Sequence, residues 1–244
     1  MILNTAFTRK SKEYGKEEKA LVGAQVVESL LAGNFELIEY APQKSFSMEQ
    51  LLASQLRGWS SFEGNDFFRG TYKGVSFAFS DVQLAPLFFK GQWLILDLHR
   101  EMPAPLMISE LEDRGSFGKK ARVQIEEPPK AHIAQAQFSN TFTILTDTSD
   151  LVSQVLTPDF MEFLLGIGPP PASSASHTGK HLLFEGKQVH IFIYSDHDLF
   201  ELAGSEVQNI PAFLERVQRE IDFIKRVIDG FLLIEGLFEG RESK

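Results

Sequence analysis

The sequence predicts an α+β fold: an antiparallel sheet packed by an N-terminal and a long C-terminal helix, with a helical insertion near 147–165. Three observations carry this. Val75, Phe77 and Phe79 alternate with Ser76, Ala78 and Ser80, which puts the large side chains on one face of a pleated strand and the small ones on the other. Residues 92–98 supply a second strand-like run close behind it. Finally, Ile210, Leu214, Val217, Ile221, Ile224, Ile228 and Phe231 recur at alternating steps of four and three, the signature of an amphipathic helix.

Taken in order, residues 8–32 read as a helix with Leu21, Val22, Val26, Leu30 and Leu31 in phase and Gly33-Asn34 as its stop. A short strand over 35–40 is closed by Pro42. A helix over 47–56 begins at Ser47 with Gln50 three residues on, the spacing of a capping box. Strands over 67–72 and 75–84 are joined by a Lys73-Gly74 turn, and Lys90-Gly91 is read as the turn before a strand over 93–98. Residues 102–129, broken by Pro103, Pro105, Gly115, Gly118, Pro128 and Pro129, read as loop with one short strand at 122–125.

The β pattern resumes over 136–145. Thr146-Asp147 caps a helix to Leu156, and Thr157-Pro158 caps and opens another over 159–165. Residues 168–179 form a Pro/Ser-rich loop, 182–194 a hairpin about Glu185-Gly186-Lys187, and 199–202 an edge strand. Phe213, Phe223, Val227 and Leu232 widen the stripe of the last helix, so it is expected to pack on the chain's own sheet rather than as a dimer seam. The whole, 1–244, reads as one domain: a helix within 1–33, a strand-rich core over 35–202 and a C-terminal helix over 209–237.

Composition narrows the function classes. A formal charge of -9 argues against nucleic acid or an anionic membrane surface as partner, because both demand a basic patch. The basic run of Arg9, Lys10, Lys12, Lys16 and Lys19 is interleaved with Glu13, Glu17 and Glu18 and reads as a solvated helix face. With 22 Phe against 4 Tyr and 2 Trp, the aromatic content is filler that needs no hydrogen-bond partner. The absence of cysteine removes thiol nucleophiles, disulfides and thiolate metal sites, and agrees with a reducing cytosol. No apolar run reaches the roughly 18–20 residues that span a bilayer.

The chemistry-bearing residues form no recognised set. His177, His181, His190 and His197 lie close in sequence, but His177 and His181 fall in or beside the Pro/Ser loop, and His190 alternates with Val189 and Ile191 as if facing solvent. Asp196-His197-Asp198 reads first as a polar turn; these three are the candidate binding residues. Thr178-Gly179-Lys180-His181 fails as a phosphate loop, with Ser174 where the first Gly belongs and His181 where a Ser or Thr must meet magnesium. Gly115-Ser116-Phe117-Gly118 lacks nucleophile-elbow spacing. Glu63, Asp66, Asp81 and Asp97 are the remaining carboxylates that a sheet could bring together as acid and base.

The runs Gly70-Thr-Tyr-Lys-Gly-Val-Ser-Phe-Ala-Phe-Ser-Asp81, Phe89-Lys-Gly-Gln-Trp-Leu-Ile-Leu-Asp97, Phe142-Thr-Ile-Leu-Thr-Asp147 and Leu156-Thr-Pro-Asp-Phe-Met161, with Phe184-Glu-Gly and Phe200-Glu201, are collinear from about Phe35 to Phe231. In these the chain resembles domain-of-unknown-function family 3137 of uncharacterised bacterial proteins. The resemblance implies a cytoplasmic domain that in many members follows hydrophobic membrane helices, which this sequence lacks. It brings no activity and no functional residue.

The expectation is therefore a non-enzymatic binding or adaptor domain with a protein partner, no nucleic acid, no cofactor, no metal and no catalytic residue. It is placed in the cytoplasm, or at the cytoplasmic face of the inner membrane if a membrane segment has been removed. Two alternatives stand beside it: a hydrolase using carboxylates or a His/Asp metal site, and a self-assembly module, a homodimer built on the last helix.

Overall fold

The structure, a computed structural model, describes residues 21, 23–54, 60–85, 89–110, 136–168, 171, 179–202 and 209–238. A helix over 23–34 (α1) leads into β1 (Glu36–Ala41), α2 (Met48–Ala53) and the strands β2 (Ser61–Tyr72), β3 (Val75–Ala85), β4 (Phe89–Asp97) and β5 (Leu106–Glu110). Then come α3 (Ala136–Thr141), β6 (Phe142–Thr146), α4 (Ser149–Val155), α5 (Pro158–Gly166), β7 (Lys180–Glu185), β8 (Gln188–Tyr194) and α6 (Ile210–Phe231). The strands form one antiparallel sheet in the order β1-β2-β3-β4-β8-β7-β5-β6, so the α+β reading holds.

Local chemistry explains the elements that match expectation. Lys73 (φ 50°) and Gly74 (φ 81°) supply the paired left-handed conformations of a two-residue hairpin turn between β2 and β3. Gly186 (φ 56°) turns β7 into β8. Ser47 and Gln50 close both bonds of the capping box, at 2.8 and 3.2 Å. The Thr157 hydroxyl accepts from the Phe160 amide at the start of α5, with Pro158 in the first turn.

Period-two patterning then lays rows of side chains across the sheet. Phe68, Phe79, Leu94, Ile191, Leu182, Ile108 and Ile144 are successive cross-strand partners and form a single apolar row, with Phe77, Leu96, Val189, Phe184 and Leu106 alongside it. These rows are buried in the main core with Val27 and Leu31 of α1, Phe138 of α3, Leu151 of α4, Phe160 of α5 and Val217, Ile221 and Ile224 of α6. The other face carries a smaller core of Val82, Leu84, Phe89, Trp93, Ile95 and Phe192, with Phe46 and Leu51 from the α2 region.

Several expectations are corrected. Lys90-Gly91 is no turn but part of β4, where Gly91 is needed because a Cβ would stand 2.1 Å from the Ile193 carbonyl oxygen of β8. β5 occupies ground read as loop, and the strand expected at 122–125 lies outside the described residues, as do most of the helix over 8–32 and the whole 115–118 run. Residues 136–141 are helical before β6 begins, and α4 starts at Ser149 with Thr148 at its N-cap, not with a cap by Thr146 or Asp147. Residues 199–202 are not a strand. α6 ends at Phe231 and gives way to turns through 238. Its seam residues Val217, Ile221, Ile224, Ile228 and Phe231 lie in the main core, as expected of packing on the chain's own sheet, while Ile210 and Leu214 at its start are partly exposed.

Candidate functional site

The segment over 195–201 crosses from β8 to α6, and buried polar side chains converge on it from three directions. β3 supplies Asp81, two residues beyond Phe79 and therefore on the same core-facing side. β4 supplies its cross-strand partner Gln92, and α6 supplies Arg216 and Glu220, one helical turn apart on the inward stripe. Asp81, Gln92 and Glu220 are at most 1% exposed. Burial at that level costs several kcal/mol per group unless each finds partners, so the bonds they make define the site.

They are nearly all internal. Gln92 Nε2 donates to Asp81 Oδ1 at 2.7 Å and to the His197 carbonyl at 3.0 Å, while the Leu199 amide donates to Asp81 Oδ2 at 2.9 Å. Glu220 Oε1 accepts from Arg216 at 2.6 Å and meets His197 Nε2 at 3.1 Å; its Oε2 accepts from the Phe200 amide at 2.9 Å. Arg216 also donates to the Glu201 carbonyl. Backbone amides of the crossing segment are thus held by one carboxylate from the sheet and one from the helix. Phe200 sits there at φ 65°, a left-handed conformation unusual for a bulky residue, held because its ring is buried 6.0 Å from Phe68 and 5.9 Å from Phe79.

A second part of the network lies at the bulge of β2. Asp66, itself at φ 53°, accepts from Tyr40 Oη at 2.7 Å and from Asn65 Nδ2 at 2.7 Å, and the same Asn65 amide reaches Glu201 Oε1 at 3.1 Å. Burial pushes the Asp66 carboxyl up to about 7, against the pull of the Tyr40 bond and with the help of the Glu201, Asp198 and Glu220 charges. Burial likewise holds Asp81 well above the ordinary carboxylate range, although Gln92 and the Leu199 amide favour its ionised form. The Tyr40 phenol is raised by burial and by its acidic neighbour Asp66.

The chain belongs to the family described as protein of unknown function (DUF3137). That family's profile matches residues 87–233, more than half of the chain, and the match takes in Gln92, His197, Arg216 and Glu220 but neither Asp66 nor Asp81. The DUF3137 match begins beyond the Gly70–Asp81 run that shares in the resemblance. Among solved structures, the crystal structure of the mycobacterial trehalose monomycolate transport factor A, TtfA, aligns at 10% identity over 84% of this chain and 93% of that one, with a TM-score of 0.41. That likeness is too distant to speak for fold or function. No curated protein matches significantly.

Of the candidate residues in this DUF3137 chain, His197 enters the network, Asp198 pairs with Lys90 at 3.1 Å near the surface, and Asp196 is exposed. Asp66 and Asp81 join it; Glu63 and Asp97 are exposed, with Asp97 accepting from Gln188 at 3.0 Å. Ser195, His197 and Glu220 have the residue types of a hydrolytic triad without its geometry. The Ser195 hydroxyl donates to the His197 carbonyl and accepts from the His197 amide, both at 3.0 Å, so it is spent on backbone rather than on the ring.

The other histidines go elsewhere. His177 lies outside the described residues, whereas His181 and His190 are on the opposite face of the sheet. His190 is 3% exposed rather than solvent-facing, because β8 is buried on both faces. Burial brings both rings down to about 4, His181 with a further push from His190. Among the described residues no three His, Cys, Asp or Glu are arranged to hold a metal ion. Arg216, Glu220 and Gln92 were not singled out from sequence; the signal was the charged i, i+4 pair interrupting the apolar stripe of α6.

Proposed function

We propose that this DUF3137 chain is a non-enzymatic binding or adaptor domain of a bacterial protein, acting in the cytoplasm or at the cytoplasmic face of a membrane, with a protein as its partner. One observation carries this reading. The carboxylate oxygens at the buried site are already engaged within the chain: both of Asp81, both of Glu220 and both of Asp66. A general acid or base must offer a substrate an open position, and these groups spend theirs holding the segment over 195–201. The lack of cysteine is consistent with a reducing compartment. Apolar side chains are available at the surface instead, among them Ile38 at 64% and Met48 at 50% exposure.

Photo-crosslinking residues placed singly at Ile38, Met48 and, as a polar control on α6, Asp222 test the reading in cells. A discrete protein adduct from an apolar position and none from Asp222 supports it. Turnover of an ester, phosphate-ester or peptide substrate that His197→Ala abolishes overturns it.

A further inference from the structure

We propose that the outer edge of β1 takes up, as an added strand, an extended segment of a partner protein in which Lys or Arg alternates with apolar residues. The inference rests on the binding reading above and narrows it to one sheet edge and one kind of segment.

The sheet ends in β1 on one side and β6 on the other, and the two differ. In β6, Phe142, Ile144 and Thr146 are buried and Thr143 and Leu145 half-buried, so none of its side chains is left exposed. β1 leaves Glu36 and Ile38 exposed. Its register against β2 shifts between Leu37 and Glu39, so Ile38 has no partner there, and it is 64% exposed. Beyond β1 no further strand pairs among the described residues. At six residues β1 has the length of an ordinary strand, enough to carry another. An open edge offers a row of backbone donors and acceptors, which natural proteins blunt with Lys, Pro or a bulge. β1 has the bulge but neither Lys nor Pro.

The charges along this edge are acidic, and they decide what can pair with it. Glu36 of β1 and Glu28 of α1 are exposed and form no ion pair among the described residues, and Glu28 is near enough to act on Tyr40 of β1. The neighbouring cations are committed, Arg69 and Lys44 to Glu39 at 3.1 and 3.8 Å and Lys225 to Asn34. Pairing β1 with the β1 of a second copy would line the Glu36 and Glu39 carboxylates of both chains along one short ribbon, which like-charge repulsion disfavours. The same carboxylates attract a strand that sets Lys or Arg opposite them, and Ile38 gives the apolar residues of that strand a contact. Rejection of its own copy and selection of a basic strand are two results of one charge pattern.

Titration of the whole chain with acetylated, amidated peptides of about eight residues, followed by NMR and amide hydrogen exchange, tests this. An alternating lysine–valine peptide should bind about tenfold more tightly than a glutamate–valine one, the margin of a few cross-strand charge pairs, and more tightly than a lysine–glycine peptide of equal charge. It should slow the exchange of amides within 36–41 and leave those of β6 unchanged. Glu36→Lys, an exposed substitution, should weaken that binding about fivefold. Equal affinity for the lysine–valine and lysine–glycine peptides would mean charge attraction without strand pairing, and would overturn the proposal. Slowed exchange elsewhere, or undiminished binding to Glu36→Lys, would do the same. So would β1 amides that are all protected before peptide is added, because a second copy or another part of this chain would then hold the edge. A cellular adduct from Ile38 without any preference for the lysine–valine peptide leaves the adaptor reading standing and removes the added strand.

Discussion

The two faces of the sheet bury ionisable side chains in opposite ways. On the main-core side, Asp81, Gln92, Arg216 and Glu220 are knitted to one another and to the backbone over 195–201. On the other side, His181 and His190 are buried against aromatic rings, His190 5.8 Å from Trp93 and His181 6.1 Å from Phe192, and neither His190 Nδ1 nor Trp93 Nε1 has a hydrogen-bond partner among the described residues. The first arrangement uses charge to hold a connection in place. The second disfavours the charged form of both histidines by burial and sets the His190 ring against Trp93. Partner count, not residue type, separates a structural device from a tolerated polar group.

That contrast breaks first at Glu220. Replacing it with Ala removes the acceptor of Arg216, His197 and the Phe200 amide, leaving a buried guanidinium without its carboxylate, and should lower stability by about 3 to 5 kcal/mol. Denaturant titration measures the loss; a variant within about 1 kcal/mol of wild type, the range of an ordinary surface substitution, would show that the pair adds nothing. Phe77→Ala, in the purely apolar row, is expected to cost a similar 3 to 5 kcal/mol or so by cavity formation. It calibrates the first result, because its loss should be insensitive to salt and pH.

Asp81→Asn sharpens the comparison at smaller scale. Burial already favours the neutral form of Asp81, and the amide keeps one acceptor for either Gln92 or the Leu199 amide while presenting a donor to the other. We expect a loss of about 1 to 3 kcal/mol, the cost of one buried bond left unmade. Loss of protection should concentrate at Leu199 rather than spread through β3 and β4.

How much of this was legible in the sequence differs between the faces. The apolar rows were, because period-two alternation at Val75, Phe77 and Phe79 reports one face of a strand directly, and all three are buried. Trp93 and Leu96 are buried too, although β4 begins at Phe89. β5 was not legible, since Pro103 and Pro105 precede it and five residues carry little periodicity. The site was half legible. Asp66, Asp81 and His197 attract notice as titratable residues, but Gln92 and Glu220 become their partners only through sheet register and the packing of α6, contacts of long sequence separation that no local pattern encodes. His190 misled because alternation shows which side of a strand a residue takes, not whether that side is covered.

The smallest effect should come from the opposite face, and it depends on pH. His190→Phe keeps a ring beside Trp93 and removes a nitrogen that has no partner there, so at about pH 8, where the histidine is neutral in folded and unfolded chains alike, stability should change by less than about 1 kcal/mol, in either direction. In acid the two chains diverge. The folded value near 4 lies below the ordinary 6.5, so the unfolded chain binds the extra proton; wild-type stability contributed by neutral His190 is whole above 6.5 and is lost as the pH falls toward 4. Each such histidine can remove up to about 1.4 kcal/mol per pH unit in that window. Asp66 works in the opposite sense, because its folded value near 7 lies above 3.8: what it contributes is whole below 3.8 and is lost as the pH rises from there to 7. Urea titrations of wild type, His190→Phe and Asp66→Asn from about pH 4 to about pH 8 should therefore show the first substitution removing a rise of stability with pH along the acid limb, and the second removing an opposing fall over nearly the same range. An acid limb unchanged by His190→Phe would mean that the ring takes up a proton inside the fold, and the division between a bonded face and a neutral one would fail at the residue that defines it.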